Sequence, residues 1–467
     1  MIKRFLTLSV LALAASATTF AGGLMTNTNY HIAFDRMMAR GATFDIDAAY
    51  SNPAGMAWAK EGWQLSLNFQ KPWQYRDIKL TTLSATFPYY SAPYEKTFEG
   101  KASAPIVPAL FASYKHDRWA VSSMIGIVGS GGFVEYKEGV PQYNVMVQSV
   151  LGAIIPQLNQ LPGIDISQAY TLDSEMKGKQ YIYGGQINFT YKLLDCLSAA
   201  VGIRANYYDG YYRGHVIANA QNEYGQLAKL LLDVDQKGWG FTPMVSVNYH
   251  KGPFTLTARY EFRTKLNPEN STNVLDAGLG TGLVAKVAAV PVYGEATLAK
   301  IKEALAPQLA GVTAPFQDGA HTRYDMPALL SVAAGYEFTP KLRATLEYHF
   351  FDDKNAKMAN NRQEELTHGT HEILAGVEYD INDKFTISCG GQRTDYGLSD
   401  GYQQNTSFAC DSYSIGLGGA WNINEKFRLN AGYFITLYSD YEKQTSYGLE
   451  TYSRTNNVIG VGIDYRF

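Results

Sequence analysis

The chain has 467 residues, 13% of them aromatic and 18% charged, with a formal net charge of −3. Its 34 Tyr and 43 Gly describe a β-rich protein, and the charge balance excludes a basic nucleic-acid binder, so no nucleic-acid partner is expected. Cys196, Cys389 and Cys410 are too few for a disulfide scaffold and lack metal-ligand spacing, so they read as packing residues.

In chain order, Lys3 and Arg4 precede an apolar run that ends in the small residues Ala17, Thr19 and Ala21. This pattern reads as a secretory signal peptide over residues 1–21, because the run is shorter than the ~20 apolar residues of a spanning helix. Residues 22–61 follow, and no strand needs them. They contain Tyr50-Ser-Asn-Pro-Ala-Gly-Met-Ala57, in which Pro53 fixes φ, Asn52 is biased towards an extended conformation, and Gly55 permits a positive φ.

From residue 62 to 467 one pattern recurs six times: an aromatic-ended strand, a tight polar turn and a new alternating strand. The turns fall at 114–118, 191–195, 249–253, 338–341, 379–384 and 421–426. Twelve strands so joined, with outer strands starting near Gly62 and Asn456, predict an all-β fold, an antiparallel transmembrane barrel of about fourteen strands. Aromatic residues at the turns suit a membrane–water boundary.

The last strand alternates Ile459, Val461, Ile463, Tyr465 and Phe467 with Val458, Gly460, Gly462, Asp464 and Arg466. The first set belongs to the lipid and the second to the lumen. After Lys341 the same parity places Arg343, Thr345, Glu347 and His349 inside, because a charge at the lipid midplane costs ~2–4 kcal/mol.

The long connections, 76–101, 128–179, 214–237, 265–321, 352–366, 397–408 and 439–452, are expected to be extracellular. Three carry helical apolar spacing. These stripes are Val147, Val150, Leu151, Ile154, Ile155 and Leu158; Leu227, Leu230, Leu231 and Val234; and Leu298, Ile301, Leu305 and Leu309. They either pack on one another as a roof or form a landing surface for a hydrophobic ligand. In the third strand, Gly126 and Gly129 predict a bulge or kink, whereas Gly131 and Gly132 equally suit an exit into the loop.

Enzyme chemistry finds no support. His368 and His371, three apart in a strand, would face opposite sides. Gly397-Leu-Ser-Asp-Gly401 lacks the helix that a nucleophile elbow requires, and Gly278-Leu-Gly-Thr-Gly282 is read as a loop without a preceding strand. No catalytic residue, metal or cofactor is expected.

A barrel of this width has an aqueous lumen unless something fills it, and residues 22–61 are the natural plug. Here the chain resembles the FadL-type outer-membrane transporters of long-chain fatty acids and aromatic hydrocarbons. The resemblance rests on Gly22-Gly23, the Asn52-Pro53-Ala54-Gly55 turn, the strand count with helical extracellular loops, Met326-Pro327-Ala328 leading into 330–336, and the aromatic end. Arg36 and Arg40, ahead of residues 41–47, depart from the commoner pattern.

The resemblance implies a bacterial outer-membrane protein whose N-terminal hatch (Asn52, Pro53, Ala54, Gly55) closes the lumen. It implies capture of a hydrophobic small molecule in the outer loops (Val147, Val150, Leu151, Ile154, Ile155, Leu298, Ile301, Leu305) and lateral exit at a kink near Gly126 and Gly129. It also implies that Tyr465 and Phe467 form a terminal signal for the barrel-assembly machinery, with outer-membrane lipid as the surrounding partner. A diffusion porin for polar solutes, a surface adhesin or antigen, and a lumenal hydrolase are the alternative readings.

Overall fold

The computed structural model describes residues 30–82, 94–104, 106–166, 170–220 and 223–467, so the predicted signal peptide and Gly22-Gly23 lie outside the described residues. Fourteen antiparallel strands close into one barrel. They are β1 (Gly62–Thr82), β2 (Val107–His116), β3 (Trp119–Tyr136), β4 (Tyr170–Leu194), β5 (Leu197–Ala220), β6 (Gln226–Lys251), β7 (Phe254–Glu261), β8 (Leu329–Thr339), β9 (Leu342–Phe351), β10 (Thr370–Asp380), β11 (Phe385–Asp395), β12 (Ser412–Asn422), β13 (Phe427–Tyr438) and β14 (Gly448–Arg466). β14 pairs back onto β1, with Gln64 opposite Arg466 and Phe69 opposite Val461, so the sheet has no free edge in the membrane.

All six tight turns are where the sequence places them, each joining an even-numbered strand to the next. Their chemistry is local. Asn382 accepts hydrogen bonds from the N–H groups of Lys384 and Phe385, and Asn424 does the same for Lys426 and Phe427, each at 2.9–3.0 Å. At this end the aromatic rings touch: Trp63 and Tyr114 lie 4.9 Å apart, Phe427 and Tyr465 4.6 Å, and Tyr465 and Phe467 4.5 Å. The chain end closes beside its start, where the Phe467 N–H donates to the Trp63 carbonyl at 3.0 Å.

The parity holds. Ile459 and Val461 face outward while Val458 and Asp464 are buried, and Glu347 turns inward opposite an exposed Leu346. Of the cysteines, Cys410 is buried and Cys196 partly so, but Cys389 is exposed on the outer face of β11 rather than packed.

The opposite end departs from the expectation. β4, β5 and β6 run for 25, 24 and 26 residues, although about 9–11 suffice to cross a bilayer. They continue as a sheet beyond the membrane, extended by the strand Glu269–Leu279 on β6. The segment expected to form a helix at Leu227, Leu230, Leu231 and Val234 is therefore part of β6. Leu230, Leu232 and Val234 are buried at a period of two, and Lys229, Asp233 and Asp235 take the alternate positions. β1 reaches Thr82 and pairs with Tyr94–Phe98 inside a connection read as loop. β14 starts at Gly448, not near Asn456, because the short strand Tyr441–Thr445 pairs with its first residues.

Two of the three helical stripes are helices. Short helices α1 (Ile32–Arg36) and α2 (Ala48–Ser51) lie in the N-terminal segment, and α3 (Pro141–Leu158), α4 (Thr281–Ala288) and α5 (Gly294–Thr313) lie in the long connections. The two barrel ends are thus distinguished by turn length. Tags near Gln160 or Ala310 should be labelled on intact cells, and tags at Lys251 or Asn382 only after permeabilisation of the outer membrane. The reverse labelling would invert the orientation.

Candidate functional site

Residues 30–59 fill the lumen near the short-turn end, and most are buried. The turn at its centre is built by Asn52. The Asn52 side chain caps the 3-10 helix Pro53–Trp58 by accepting the Gly55 N–H at 3.1 Å, and its amide donates to Asn248 at 2.9 Å and to the Thr43 carbonyl at 3.1 Å. Gly55 does not adopt a positive φ, contrary to expectation. It is required because a Cβ there would stand 2.2 Å from Asn52 Nδ2.

The barrel wall supplies hydrogen bonds to the backbone that this segment leaves unpaired. Thr190 Oγ1 donates to the Pro53 carbonyl at 2.8 Å, Ser198 to the Ala54 carbonyl at 2.6 Å, and Asn188 to the Ala49 carbonyl at 2.8 Å. The Ala54 N–H donates to Ser246 at 2.9 Å, and the Gly41 N–H to Glu347 at 2.8 Å. The two unexpected arginines are neutralised: Arg36 pairs with Glu378 of β10, and Arg40 makes a bidentate contact with Asp47 at 2.7 and 3.0 Å.

On the other side the segment rests on glycine. Gly376 pairs with Gly390 and Gly390 with Gly416, while Gly418 pairs with Gly432 and Gly432 with Gly460, so glycines line up across β10 to β14. A Cβ at Gly432 would lie 2.8 Å from the Asp35 Cβ, one at Gly460 2.4 Å from the Asp35 carboxylate, and one at Gly390 2.7 Å from the Met38 N. The track lets the backbone of 32–38 approach the wall to a distance no other residue allows.

Beside the segment lies a small pocket whose walls include Phe34, Met38, Leu329, Phe351 and Leu374. Charged and polar groups enter it from Arg259, Glu347, His349, Glu372 and Gln392. Towards the long-loop end the lumen is occupied by residues 402–410, which are buried although 402–408 belong to a connection expected to be extracellular. Arg362 donates to the Tyr402 and Ser407 carbonyls, Arg76 donates to the Phe408 carbonyl, and Asn405 accepts the Gln142 N–H. At this mouth Asp353 accepts the Thr370 N–H at 3.0 Å, and burial pushes its carboxyl up to about 7.

The wall itself is interrupted. Pairing of β2 with β3 runs from His116 opposite Trp119 to Leu110 opposite Ile125, then stops. Among the described residues it resumes only where Ala102 meets Val134. On β3 the ladder to β4 slips twice, between Ile127 and Gly129 and between Ser130 and Gly132, and Gly132 has φ +72. Gly129 thus sits at a bulge, while Gly126 stays in register with Gly184 just before it. A signal for the break that is present in the sequence lies on the facing strand, where Pro108 brings no N–H. Ile106 and Ile125 flank the break on the outside at 58% and 60% exposure, and Ala109, Phe111, Met124 and Val128 are buried inside it.

A second pocket lies between α3, α5, β6 and the strand Glu269–Leu279. Val147, Val150 and Leu305 line it together with Met146, Leu230 and Leu309. Leu151, Ile154, Ile155, Leu298 and Ile301 are buried in the surrounding core and do not line the cavity.

Two further expectations change. His368 precedes β10, so the strand parity does not separate it from His371, and the rings lie 5.1 Å apart. A strand, Glu269–Leu279, does precede Gly280, but it is antiparallel, whereas a nucleotide fold needs a parallel βαβ unit. Among the described residues no three His, Cys, Asp or Glu are grouped to hold a metal.

The glycine track yields a direct test. Gly432→Ala with Gly460→Ala should displace the segment and raise steady ion conductance in planar bilayers, with barrel assembly kept. Gly185→Ala, whose Cβ meets nothing within 4 Å, should change neither. Unaltered conductance in the double variant would show that the track does not seat the segment.

A family model described as outer membrane protein beta-barrel domain matches residues 285–467. No curated protein matches. Among solved structures, a Pseudomonas aeruginosa FadL homologue aligns with 95% of this chain and 100% of its own at 15% identity and a TM-score of 0.64. The P. putida toluene transporter TodX aligns with 91% of this chain and 95% of its own at 14% identity and a TM-score of 0.55. The Ralstonia pickettii toluene transporter TbuX covers 94% and 99%, at 14% identity and a TM-score of 0.51. The chain thus carries an outer-membrane β-barrel domain over residues 285–467 and has, over its length, the fold of the FadL homologue and the toluene transporters, its lumen occupied by its own residues 30–59.

Proposed function

We propose that the protein takes up hydrophobic small molecules passively across the outer membrane, with residues 22–61 acting as a hatch. The observation that carries this reading is the interruption of the wall between β2 and β3 beside an apolar interior, in a barrel whose axis is blocked. A polar solute needs a continuous wet lumen. A hydrocarbon or acyl chain needs a series of apolar surfaces, since each buried CH₂ is worth roughly 0.8 kcal/mol.

In this reading the ligand is first held in the cavity between α3 and α5, where Val147, Val150 and Leu305 contact it. It then passes to the cavity beside the hatch and leaves through the side of the barrel near Gly129. No chemical step and no cofactor is involved. The toluene transporters that share the fold support this class of cargo. The aromatic end, Tyr465 and Phe467, acts earlier, as the signal for assembly into the membrane.

Two measurements test the proposal. Asn52→Ala with Pro53→Ala removes the cap and the preset φ, a loss of ~0.4–1 kcal/mol for the proline. This variant should assemble normally yet transport ligand poorly, and unchanged uptake would remove the hatch role. The wild-type protein should show little steady conductance in planar bilayers and bind apolar ligands over sugars. Large stable conductance with sugar flux and no apolar binding would make it a porin.

A further inference from the structure

The carboxylates of residues 30–59 are Asp35, Asp45 and Asp47, and they are held in different ways. Asp35 is buried and accepts from Gln70 at 2.8 Å, and Asp47 is buried in its bidentate contact with Arg40. The Asp45 side chain is 34% exposed, and three guanidinium groups surround its carboxylate: Arg40 at 3.5 Å, Arg466 at 3.6 Å and Arg428 at 3.9 Å. Each distance is longer than a charge-assisted hydrogen bond, so Asp45 is attracted by charge rather than fastened by a directed contact. Arg428 lies on β13 and Arg466 ends β14, and among the described residues neither has another carboxylate partner. The Nε and Nη2 donors of Arg428 have no hydrogen-bond partner there either. Positive charge is thus in excess at this point of the short-turn end, and Arg466 pushes the neighbouring Lys60 ammonium down.

The other ionic anchors of the segment are closed to solvent. Arg36 with Glu378 and Arg40 with Asp47 are almost wholly buried, so dissolved ions screen them little. Around Asp45 ions can act, because its carboxylate and the Arg466 side chain, 22% exposed, are both partly open to water. We infer that Asp45 is an electrostatic latch, which holds residues 41–48 of the segment to β13 and β14 at low ionic strength and loosens as salt rises. It is a positioning residue, acting on the segment and not on a ligand. The inference rests on the hatch reading, to which it adds control by ions.

Hydrogen exchange of the backbone amides of residues 41–48 reads the latch in the purified full-length barrel, because the Gly41 N–H donates to Glu347 of the wall and the Asp45 and Ala48 N–H groups are bonded within the segment. Raising NaCl from ~10 mM to ~1 M shortens the Debye length from ~30 Å to ~3 Å and should speed this exchange at least ~5-fold, as three partly exposed ion pairs allow. The amides of β13 and β14 should not respond. Asp45→Asn keeps the shape and removes the charge, so it should exchange at the high-salt rate in both buffers, whereas Asp45→Glu should restore the salt response. A wild-type rate indifferent to salt, or a response that survives Asp45→Asn, would overturn the latch and leave the hatch reading standing. Uptake separates the two: Asp45→Asn should take up apolar ligand faster than wild type at low salt. Salt-sensitive exchange with unchanged uptake would overturn the hatch role while the electrostatic attachment stood.

Discussion

A chain in hydrocarbon must satisfy every backbone N–H and C=O from within itself, and the architecture follows from that constraint. It forces the sheet to close, β14 onto β1, and it makes any interruption of the ladder costly unless the sequence prepares for it. The break between β2 and β3 is prepared on both sides. Proline at 108 removes a donor that would otherwise need a partner, and the bulges around Gly129 and Gly132 turn the facing strand away.

The interior obeys the same rule by different means. A segment threaded through a wide lumen has no ladder of its own, so its carbonyls depend on side chains projecting from the wall, such as Thr190, Ser198 and Asn188. Where the segment instead lies flat against the wall, glycine replaces polar contact with close approach. Residues 32–38 combine fit against the glycines of β10 to β14 with polar contacts to the wall, such as Arg36 to Glu378 and the Ile32 N–H to Asn68, and residues 41–54 are held mainly by directional hydrogen bonds.

Beyond the membrane the constraint relaxes, because water can serve any exposed backbone. Here β4 to β6 continue far past the bilayer, helices α3 and α5 enclose an apolar cavity, and residues 402–410 fold back into the lumen. The inward loop is polar in composition, and it can be buried because Arg76, Arg362 and Asn405 satisfy or use its backbone and side chains.

The sequence alone determined the barrel, because side-chain parity and turn chemistry are local. Asn382 and Asn424 write their turns within three residues, and the charge on Glu347 fixes which face of β9 is inside. It also determined that Asn52 and Pro53 form a turn and that glycines disturb β3. It did not determine where the strands end beyond the membrane, since the run around Leu230 satisfies both a helical and a strand period until its partner β5 decides. Nor did it reveal the glycine track or the inward loop. Those residues are far apart in the chain, and only closure of the sheet brings Gly432 to Asp35 and Arg362 to Tyr402.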